Sequence, residues 1–174
     1  MDATELRALQ APLKQRYREQ AESALIPARA EAVLDGGDIA CRVPARGAEV
    51  VAGLHAAAGG TGALACSADM LLEALVACAG VTLRAVATAM GVALRGGRIV
   101  AEGTWDARGT LGIDKSAPVG MTDIAIRFEL DTDADAAQVD RLVATTERYC
   151  VIFQTLQAPP RLSVTHAATA TTTA

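Results

Sequence analysis

The chain has 174 residues, enough for one domain with a sizeable core and too few for two full domains. Its net charge of −4 argues against binding to nucleic acid, which requires clustered cations to neutralise phosphates. Half of the residues are hydrophobic (51%) but only 3% are aromatic, so the core is expected to consist of Ala, Val and Leu. The N-terminus has no basic region followed by an apolar run, so we expect no secretory signal and a cytoplasmic protein.

The first 27 residues predict a helical arm. Four apolar residues recur there at helical spacing among charged and polar neighbours: Leu6, Leu9, Leu13 and Tyr17. Pro12 is expected to interrupt the segment, leaving one short turn and then an amphipathic helix over about residues 11–24. Pro27 closes the arm. The pattern favours a packing or dimer arm that takes no part in chemistry.

Strand patterns flank a long central helix. Six segments carry them: residues 28–34, 39–43, 49–54, 98–105, 120–131 and 161–165. The turn signal at residues 35–38 joins the first two as a hairpin. The fifth segment has the clearest alternation of apolar and polar residues, and in the sixth Leu162 and Val164 are expected to point inward. Residues 167–174 are only Ala and Thr, so we expect a disordered tail.

Residues 67–91 predict the central helix, with Ser67 as its N-cap and Gly91 as its left-handed end. Nearly every position outside one narrow polar stripe is apolar or small, so the helix is expected to be buried around most of its circumference. Cys78 lies on the apolar side, where its sulfur would point into the protein or into a partner subunit. A membrane span is disfavoured because the longest uncharged run, residues 74–83, is half of the roughly 20 residues that a span needs.

A second amphipathic helix leads to another cysteine. Thr132 or Asp133 is expected to cap it. Its apolar face contains Val139, Leu142, Val143 and Thr146. Cys150 lies on the same face where the helix ends, and residues 151–156 form a short continuation. The order of elements predicts an α+β fold with antiparallel strands, and because one sheet would leave the central helix half uncovered, we expect a homodimer.

Six residues are the first candidates for chemistry: Cys41, Cys66, Cys78, Cys150, His55 and His166. Their spacing matches no zinc motif, and we expect neither a metal nor another cofactor. In a reducing compartment the cysteines are expected to be thiols. Cys41, in a strand, and Cys66, just before the central helix, are interpreted as packing residues, as is Trp105. The two histidines are interpreted as surface or strand residues.

Two stretches resemble motifs of the OsmC/Ohr family, the osmotically inducible and organic hydroperoxide resistance proteins. The first, residues 69–83, carries an acidic residue and a leucine-rich turn that lead to Cys78 and then to Thr82-Leu83. The second comprises Arg148-Tyr149-Cys150 and Gln154-Thr155-Leu156. The order of elements over residues 28–164 is also similar. The chain therefore resembles a divergent member of this family, with the N-terminal arm outside the common region.

The resemblance implies an intertwined homodimer in which antiparallel sheets wrap two long central helices, with a thiol site at the subunit interface. The chain would then consist of a helical arm (1–27), an OsmC-like domain (28–166) and the tail. In the family's active peroxidases, the cysteine matching Cys78 attacks an organic hydroperoxide and becomes a sulfenic acid, and the one matching Cys150 condenses with it to a disulfide. A dithiol such as dihydrolipoamide restores both thiols. The implied role is oxidative-stress defence, without a nucleic-acid or membrane partner.

The chain departs from the family pattern around Cys78. Asp38 stands where the organic hydroperoxide branch has an arginine, and Ala68 stands where that arginine's glutamate partner is found. Val151 replaces the proline that usually follows the second cysteine. An ordinary thiol with a pKa of about 8.5 is only about 3% ionised at pH 7, and Cys78, in mid-helix, gains little from the dipole of its own helix.

Two functions therefore stay open. The first is the thiol-dependent peroxidase described above. The second is an OsmC-fold protein without peroxidase activity, which binds a small apolar ligand or serves as a dimeric scaffold. A cation within reach of Cys78, such as Arg42 or Arg46, would favour the first.

Overall fold

The protein has an α+β architecture, as predicted. The computed structural model describes residues 1–34, 38–45 and 47–168, so that Arg46, most of the predicted 35–38 turn and most of the predicted tail lie outside the described residues. In chain order the elements are α1 (Ala3–Glu19), β1 (Ala40–Ala45), β2 (Ala48–Gly53), β3 (Ala65–Cys66), α2 (Ser67–Met90), β4 (Leu94–Trp105), α3 (Ala107–Thr110), β5 (Met121–Thr132), α4 (Ala136–Tyr149) and α5 (Val151–Gln157). Two short 3₁₀ helices are Ala21–Ala24 and Ala56–Ala58.

The described strands form two small sheets. β1 and β2 pair antiparallel, and the two-residue β3 pairs parallel to β2. β4 and β5 form a separate antiparallel ribbon of 12 residues each. The strands predicted at 49–54, 98–105 and 120–131 are confirmed with small shifts at their ends.

The central helix α2 packs against β4, α4 and α5 and so positions most of the domain. Its predicted extent is confirmed, and Gly91 ends it in the left-handed conformation (φ 69°) that glycine adopts without strain. The N-cap, however, is Cys66 rather than Ser67. Cys66 is extended (φ −87°, ψ 130°) and pairs with Gly53, so β3 leads directly into the helix one residue earlier than predicted.

The core lies on one side of α2. Four residues one turn apart are buried there: Leu75, Ala79, Leu83 and Ala87. Leu142 of α4 packs against this row, and Thr146 of the same face is also fully buried. The Thr146 hydroxyl donates to the carbonyl of Leu142 (2.8 Å), which satisfies its hydrogen-bonding capacity inside the core. The predicted inner face of α4 is confirmed.

The other side of α2 is exposed within the single chain. Val81 is 74% exposed, and Ala74, Ala77 and Arg84 on the same side of the helix are exposed as well. The burial expected around most of the circumference is therefore not achieved by one copy. By length and composition alone α2 could cross a membrane, with a mean hydropathy of 1.8 over 18 residues. The core helix of a soluble protein passes the same test, and here Glu73 and Arg84 interrupt the apolar sequence.

In the N-terminal arm, α1 runs through Pro12 without a break, so the predicted interruption there is wrong. The helix ends at Glu19 rather than near residue 24, where the 3₁₀ helix Ala21–Ala24 follows. A capping box fixes the start of α1: the Asp2 carboxylate accepts the N–H of Glu5, and the Glu5 carboxylate accepts the N–H of Asp2. The hydrogen bond that Pro12 cannot donate would go to the carbonyl of Ala8, an exposed residue where water can take its place. No residue of α1 is buried.

A second capping box begins α4 later than predicted. β5 continues through Thr132, so neither Thr132 nor Asp133 is the cap. The Asp135 carboxylate accepts the N–H of Gln138, and the Gln138 side chain accepts the N–H of Asp135. The box fixes the first residue of α4 and satisfies two N–H groups there.

Two predicted strands do not form. In residues 28–34 only Val33 pairs, through an isolated bridge to Arg42 (N···O 2.8 and 3.0 Å). Residues 161–165 have no strand partner among the described residues, and their apolar side chains, Leu162 and Val164, are 86% and 92% exposed rather than inward. A strand pattern specifies a strand only where a neighbouring strand is present to receive its hydrogen bonds.

Candidate active site

Cys78 and Cys150 meet where the middle of α2 faces the joint between α4 and α5. Cys78 is half-buried, and Cys150, which is 1% exposed, ends α4 and precedes α5. Both are free thiols, and the Cys150 thiol is hydrogen-bonded to the sulfur of Cys78. Two cysteines that are far apart in sequence are therefore in direct contact.

The backbone of Cys150 is bonded to both helices that it joins. Its N–H donates to the carbonyl of Thr146 in α4 (2.9 Å), and its carbonyl accepts the N–H of Gln154 in α5 (2.9 Å). The Gln154 side chain then donates to the carbonyl of Glu147 (3.0 Å), which ties α5 back to the last turn of α4. The position of Cys150 is thus fixed by the main chain on either side.

The first turn of α5 supplies hydrogen-bond donors to both sulfurs. Three N–H groups there have no partner within the helix: those of Val151, Ile152 and Phe153. The first two donate to Cys78, and the last two donate to Cys150. The hydroxyl of Thr82, one turn beyond Cys78 in α2, also bonds to the Cys78 sulfur.

These surroundings separate the acidities of the two thiols. Burial raises the pKa of the Cys78 thiol, but the hydrogen bonds from the α5 amides, Cys150 and Thr82 together outweigh burial, so its pKa lies below the ordinary value. Burial also raises the pKa of Cys150, and the hydrogen bond that it gives to Cys78 raises it further, so its pKa lies above the ordinary value. Cys78 is the thiol that ionises first, and Cys150 keeps its proton.

A cavity of about 430 Å³ lies between α2, β5 and α5. Its walls include Leu75, one turn before Cys78, and Phe153, whose amide faces Cys150. The other walls are mainly apolar, and Asp123 is the one charged residue among the described lining residues. The size and the lining suit a small organic molecule.

The family model of the OsmC-like proteins matches residues 60–165. This span contains Cys78, Cys150 and every element from β3 to α5. The chain belongs to the OsmC-like family. No curated protein sequence matches it.

Solved structures share the fold of this OsmC-like protein at low sequence identity. An OsmC like protein from Mycoplasma pneumoniae has a TM-score of 0.64 at 16% identity, over 78% of this chain and 90% of the other. An organic hydroperoxide resistance protein OsmC from Legionella pneumophila has 0.57 at 15%, over 77% and 91%. A putative organic hydroperoxide resistance protein from Vibrio cholerae, with captopril bound in one of its active sites, has 0.54 at 16%, over 77% and 88%. The predicted OsmC-like fold is confirmed.

Of the arginines that the structure describes, two near the domain core have partners other than Cys78. Arg42 forms an ion pair with Glu49 of the neighbouring strand (3.8 Å), and Arg46 lies outside the described residues. Arg84 donates to the carbonyl of Leu94 (2.9 Å). The strongest favourable influences on the Cys78 thiolate come instead from neutral donors, namely backbone amides, a thiol and a hydroxyl.

The other two cysteines do not meet. Cys41 of β1 lies opposite Ala52 of β2, whereas Cys66 of β3 lies opposite Gly53, the next residue of β2. Because successive residues of a strand point to opposite faces, the two thiols face away from each other. Cys41 and Cys66 are both half-buried free thiols.

The histidines stay apart from the thiol pair. His55 is exposed and caps the 3₁₀ helix Ala56–Ala58, and His166 is exposed beyond α5. Within the described ranges no group of His, Cys, Asp and Glu side chains could hold a metal ion.

Sequence reasoning missed the donors from α5, because it weighed only the dipole of the helix that contains Cys78. One signal was available. The family pattern has a proline after the second cysteine, and a proline has no N–H to donate. Val151 restores that N–H, and it is one of the groups that lower the pKa of Cys78.

Proposed function

We propose that this protein is a thiol-dependent peroxidase that reduces organic hydroperoxides, with Cys78 as the attacking thiolate and Cys150 as the resolving thiol. The observation that carries the proposal is the contact between the two thiols at the first turn of α5, where the pKa of Cys78 is lowered and that of Cys150 is raised. A peroxidatic cysteine must be a thiolate, and a resolving cysteine must be within reach of the sulfenic acid.

The chemistry has three balanced steps. The Cys78 thiolate attacks the outer oxygen of the hydroperoxide, the O–O bond breaks, and the alkoxide takes a proton and leaves as an alcohol. The Cys150 thiol then condenses with the Cys78 sulfenic acid, releasing water as the S–S bond forms. A dithiol reductant transfers two electrons and two protons to the disulfide, regenerates both thiols and becomes a disulfide itself. Because its pKa is raised, Cys150 stays protonated at neutral pH and can supply the proton with which the hydroxyl of the sulfenic acid leaves as water.

We infer the substrate class from the apolar cavity between α2, β5 and α5, which lies next to the thiol pair although neither sulfur is among its described lining residues. Its walls offer mainly hydrocarbon side chains to a bound molecule. The free-energy cost of transfer from water into such a cavity is lower for an alkyl or aryl hydroperoxide than for hydrogen peroxide, because more of its surface is apolar. Two of the structurally similar proteins are described as organic hydroperoxide resistance proteins, which supports the same substrate class. Four free thiols suit a reducing compartment, so a cytoplasmic location in oxidative-stress defence is part of the proposal.

We further propose that a second copy of the chain covers the exposed side of α2. Val81 is 74% exposed there, and two grooves between α2 and β4 open beside it. Residues 161–165 add an extended segment that no described strand pairs with. A homodimer would bury these surfaces. Sedimentation at low micromolar concentration is expected to give twice 17.9 kDa, and a folded monomer under those conditions would contradict it.

The test of peroxidase activity compares wild type with three serine variants, supplied with cumene hydroperoxide and dihydrolipoamide. Cys78→Ser is expected to abolish peroxide consumption, because the nucleophile is gone. Cys150→Ser is expected to complete one turnover and stop as the Cys78 sulfenic acid, which a dimedone label detects. Cys41→Ser, the matched control, is expected to keep full activity. If wild type is no faster than Cys78→Ser, the alternative applies: an OsmC-fold protein that binds a small apolar ligand or serves as a dimeric scaffold.

A further inference from the structure

A second cavity, of about 360 Å³, lies at the start of α2. Its walls come from the end of β2, the end of β4, the first turn of α2 and the segment that precedes β5. Cys66 lies on its wall, and at 1.5 Å per residue this is about 18 Å along α2 from Cys78. Neither cysteine of the proposed peroxidase site lines it. The volume is within the range of small-molecule sites.

Two aromatic rings form a fixed corner of this cavity. The rings of His55 and Trp105 meet edge to face, with centroids 5.4 Å apart and an interplanar angle of 87°. The Nδ1 atom of His55 accepts the N–H of Ala57 (3.0 Å), which holds the ring in place. Because Nδ1 is the acceptor, the ring proton lies on Nε2 and is available to a hydrogen-bond acceptor. The corner is therefore set before any ligand enters.

The described lining of this second cavity contains no Asp, Glu, Lys or Arg, in contrast to the other cavities along α2. The cavity beside α5 includes Asp123, and the groove toward β4 includes Arg84 and Arg98. The polar groups at the second cavity are neutral: the His55 ring, a thiol and the hydroxyls of Ser67 and Thr110. A charged ligand would lose its hydration there without gaining an opposite charge.

The remaining walls are apolar and partly open to solvent. Leu54, Leu71 and Val119 are 39%, 38% and 64% exposed although each lines the cavity. A ligand that covers these side chains removes their surface from water. Met121 adds a thioether, a group that packs favourably against aromatic rings.

We propose that this cavity binds a small, neutral, planar aromatic molecule that carries a hydrogen-bond acceptor. The ring packs in the corner formed by His55 and Trp105, and the acceptor takes the Nε2 proton of His55 or a hydroxyl proton from the wall. The site acts independently of the Cys78 and Cys150 thiols.

The probe is acetophenone, which combines an aromatic ring with a carbonyl acceptor. Trp105 is the one tryptophan of the chain and lines this cavity, so its fluorescence, corrected for absorbance, reports on binding there. The cavity shares Leu71 and Met121 with the cavity beside α5, so the variants described below are needed to locate the ligand. Acetophenone is expected to change it saturably in the millimolar range or below, as suits a ligand of about nine non-hydrogen atoms. Cyclohexyl methyl ketone, which lacks planarity, and benzoate, which is charged, are expected to bind at least about fivefold more weakly.

Cys66 provides a second readout, and matched variants locate the site. Saturating acetophenone is expected to slow the reaction of Cys66 with N-ethylmaleimide, measured by peptide mapping, and to leave that of Cys41 unchanged. By calorimetry, His55→Ala is expected to weaken binding about tenfold. His166→Ala, a change at the other exposed histidine, is the control. Val119→Phe, in an exposed segment, fills the cavity and is expected to abolish binding while the chain stays folded.

Four results would each overturn the proposal. The first is no saturable signal up to the solubility of acetophenone, and the second is equal affinity for cyclohexyl methyl ketone. The third is unchanged binding in both His55→Ala and Val119→Phe, with folding verified by circular dichroism. The fourth is loss of binding in Cys78→Ser but not in Cys41→Ser, which would place the ligand at the thiol pair. None of these results bears on peroxidase activity, so the two proposals stand or fall separately.

Discussion

The four cysteines form two sets whose surroundings differ. Cys78 and Cys150 are in contact and receive N–H groups from the start of α5, whereas Cys41 and Cys66 belong to one small sheet and point to its opposite faces. All four are free thiols: Cys150 is buried, and the other three are half-buried. The two sets therefore differ in what lies against the sulfur rather than in burial alone, and the proposed redox chemistry is assigned to the first set on that ground.

The largest expected contrast is in alkylation. Because its pKa is lowered, Cys78 stays ionised as the pH falls below the ordinary thiol range, whereas Cys150, with a raised pKa, ionises only above it. At pH 7 iodoacetamide is expected to modify Cys78 at least about tenfold faster than Cys150, which is both less ionised and 1% exposed, as measured by mass spectrometry of quenched samples. Prior treatment with cumene hydroperoxide should protect both thiols from alkylation, because it joins them in a disulfide. Identical pH profiles for the two thiols would contradict the assignment.

A smaller effect is expected from Val151→Pro. Val151 is the first residue of α5, a position that accepts proline, and Cys150 before it already has the extended backbone (φ −75°, ψ 108°) that proline requires. The change removes one N–H from Cys78 and no charge. The pKa of Cys78 is expected to rise, because one hydrogen bond to its sulfur is lost, and its alkylation at pH 7 is expected to slow about fivefold.

Val151→Ala is the matched control, since it shortens the same side chain and keeps the N–H. It is expected to leave the pKa of Cys78 unchanged. If the proline and alanine variants give the same pH profile, the amide of residue 151 does not stabilise the thiolate.

A still smaller effect is expected from Gln154→Ala, which removes the bond from α5 to the Glu147 carbonyl. The free energy of unfolding is expected to fall by about 0.5–1.5 kcal/mol in urea titrations. The pKa of Cys78 should move upward slightly, because the amides of α5 are held less firmly. Gln157→Ala removes only the longer contact to the Gln154 side chain (3.5 Å) and keeps the bond to Glu147, so it is expected to change both quantities less. A stability loss without any pKa change would mean that the tie is structural only.

The smallest effect concerns the second set. In the Cys78→Ser/Cys150→Ser double variant, diamide is expected to form no intramolecular disulfide between Cys41 and Cys66, because their side chains leave opposite faces of the sheet. Non-reducing peptide mapping measures the bridge. Rapid and complete bridging would show that the sheet pairing is wrong.

Local patterns predicted the elements whose signals are strong within one segment. α2 could be predicted because Gly91 and a long apolar run mark it, and β5 because its residues alternate without interruption. The position of Cys150 on the inner face of α4 followed from helical periodicity alone. Segments that depend on a neighbour were not predictable in this way, as residues 161–165 illustrate.

The candidate site was predictable in its sulfurs but not in its donors. The two cysteines carry family motifs, so their residue types and positions can be read from the chain. The N–H groups that stabilise Cys78 belong to Val151 and Ile152, and a backbone amide looks the same at every residue of a sequence. Only the absence of proline at position 151 marks it, and that signal gains meaning once the first turn of α5 is known to face α2.

The main-chain bonds on either side of Cys150 bear on how the proposed cycle could proceed without backbone movement. Since its N–H and its carbonyl are already engaged by Thr146 and Gln154, the backbone at the joint has little freedom to follow its sulfur. The movement needed to close and reopen the S–S bond would then be rotation about the side-chain torsions, with α4 and α5 left in place. Such a cycle requires no unfolding step. The buried backbone amides of α4 should therefore exchange their hydrogens with solvent at the same slow rate in the oxidised and the reduced protein.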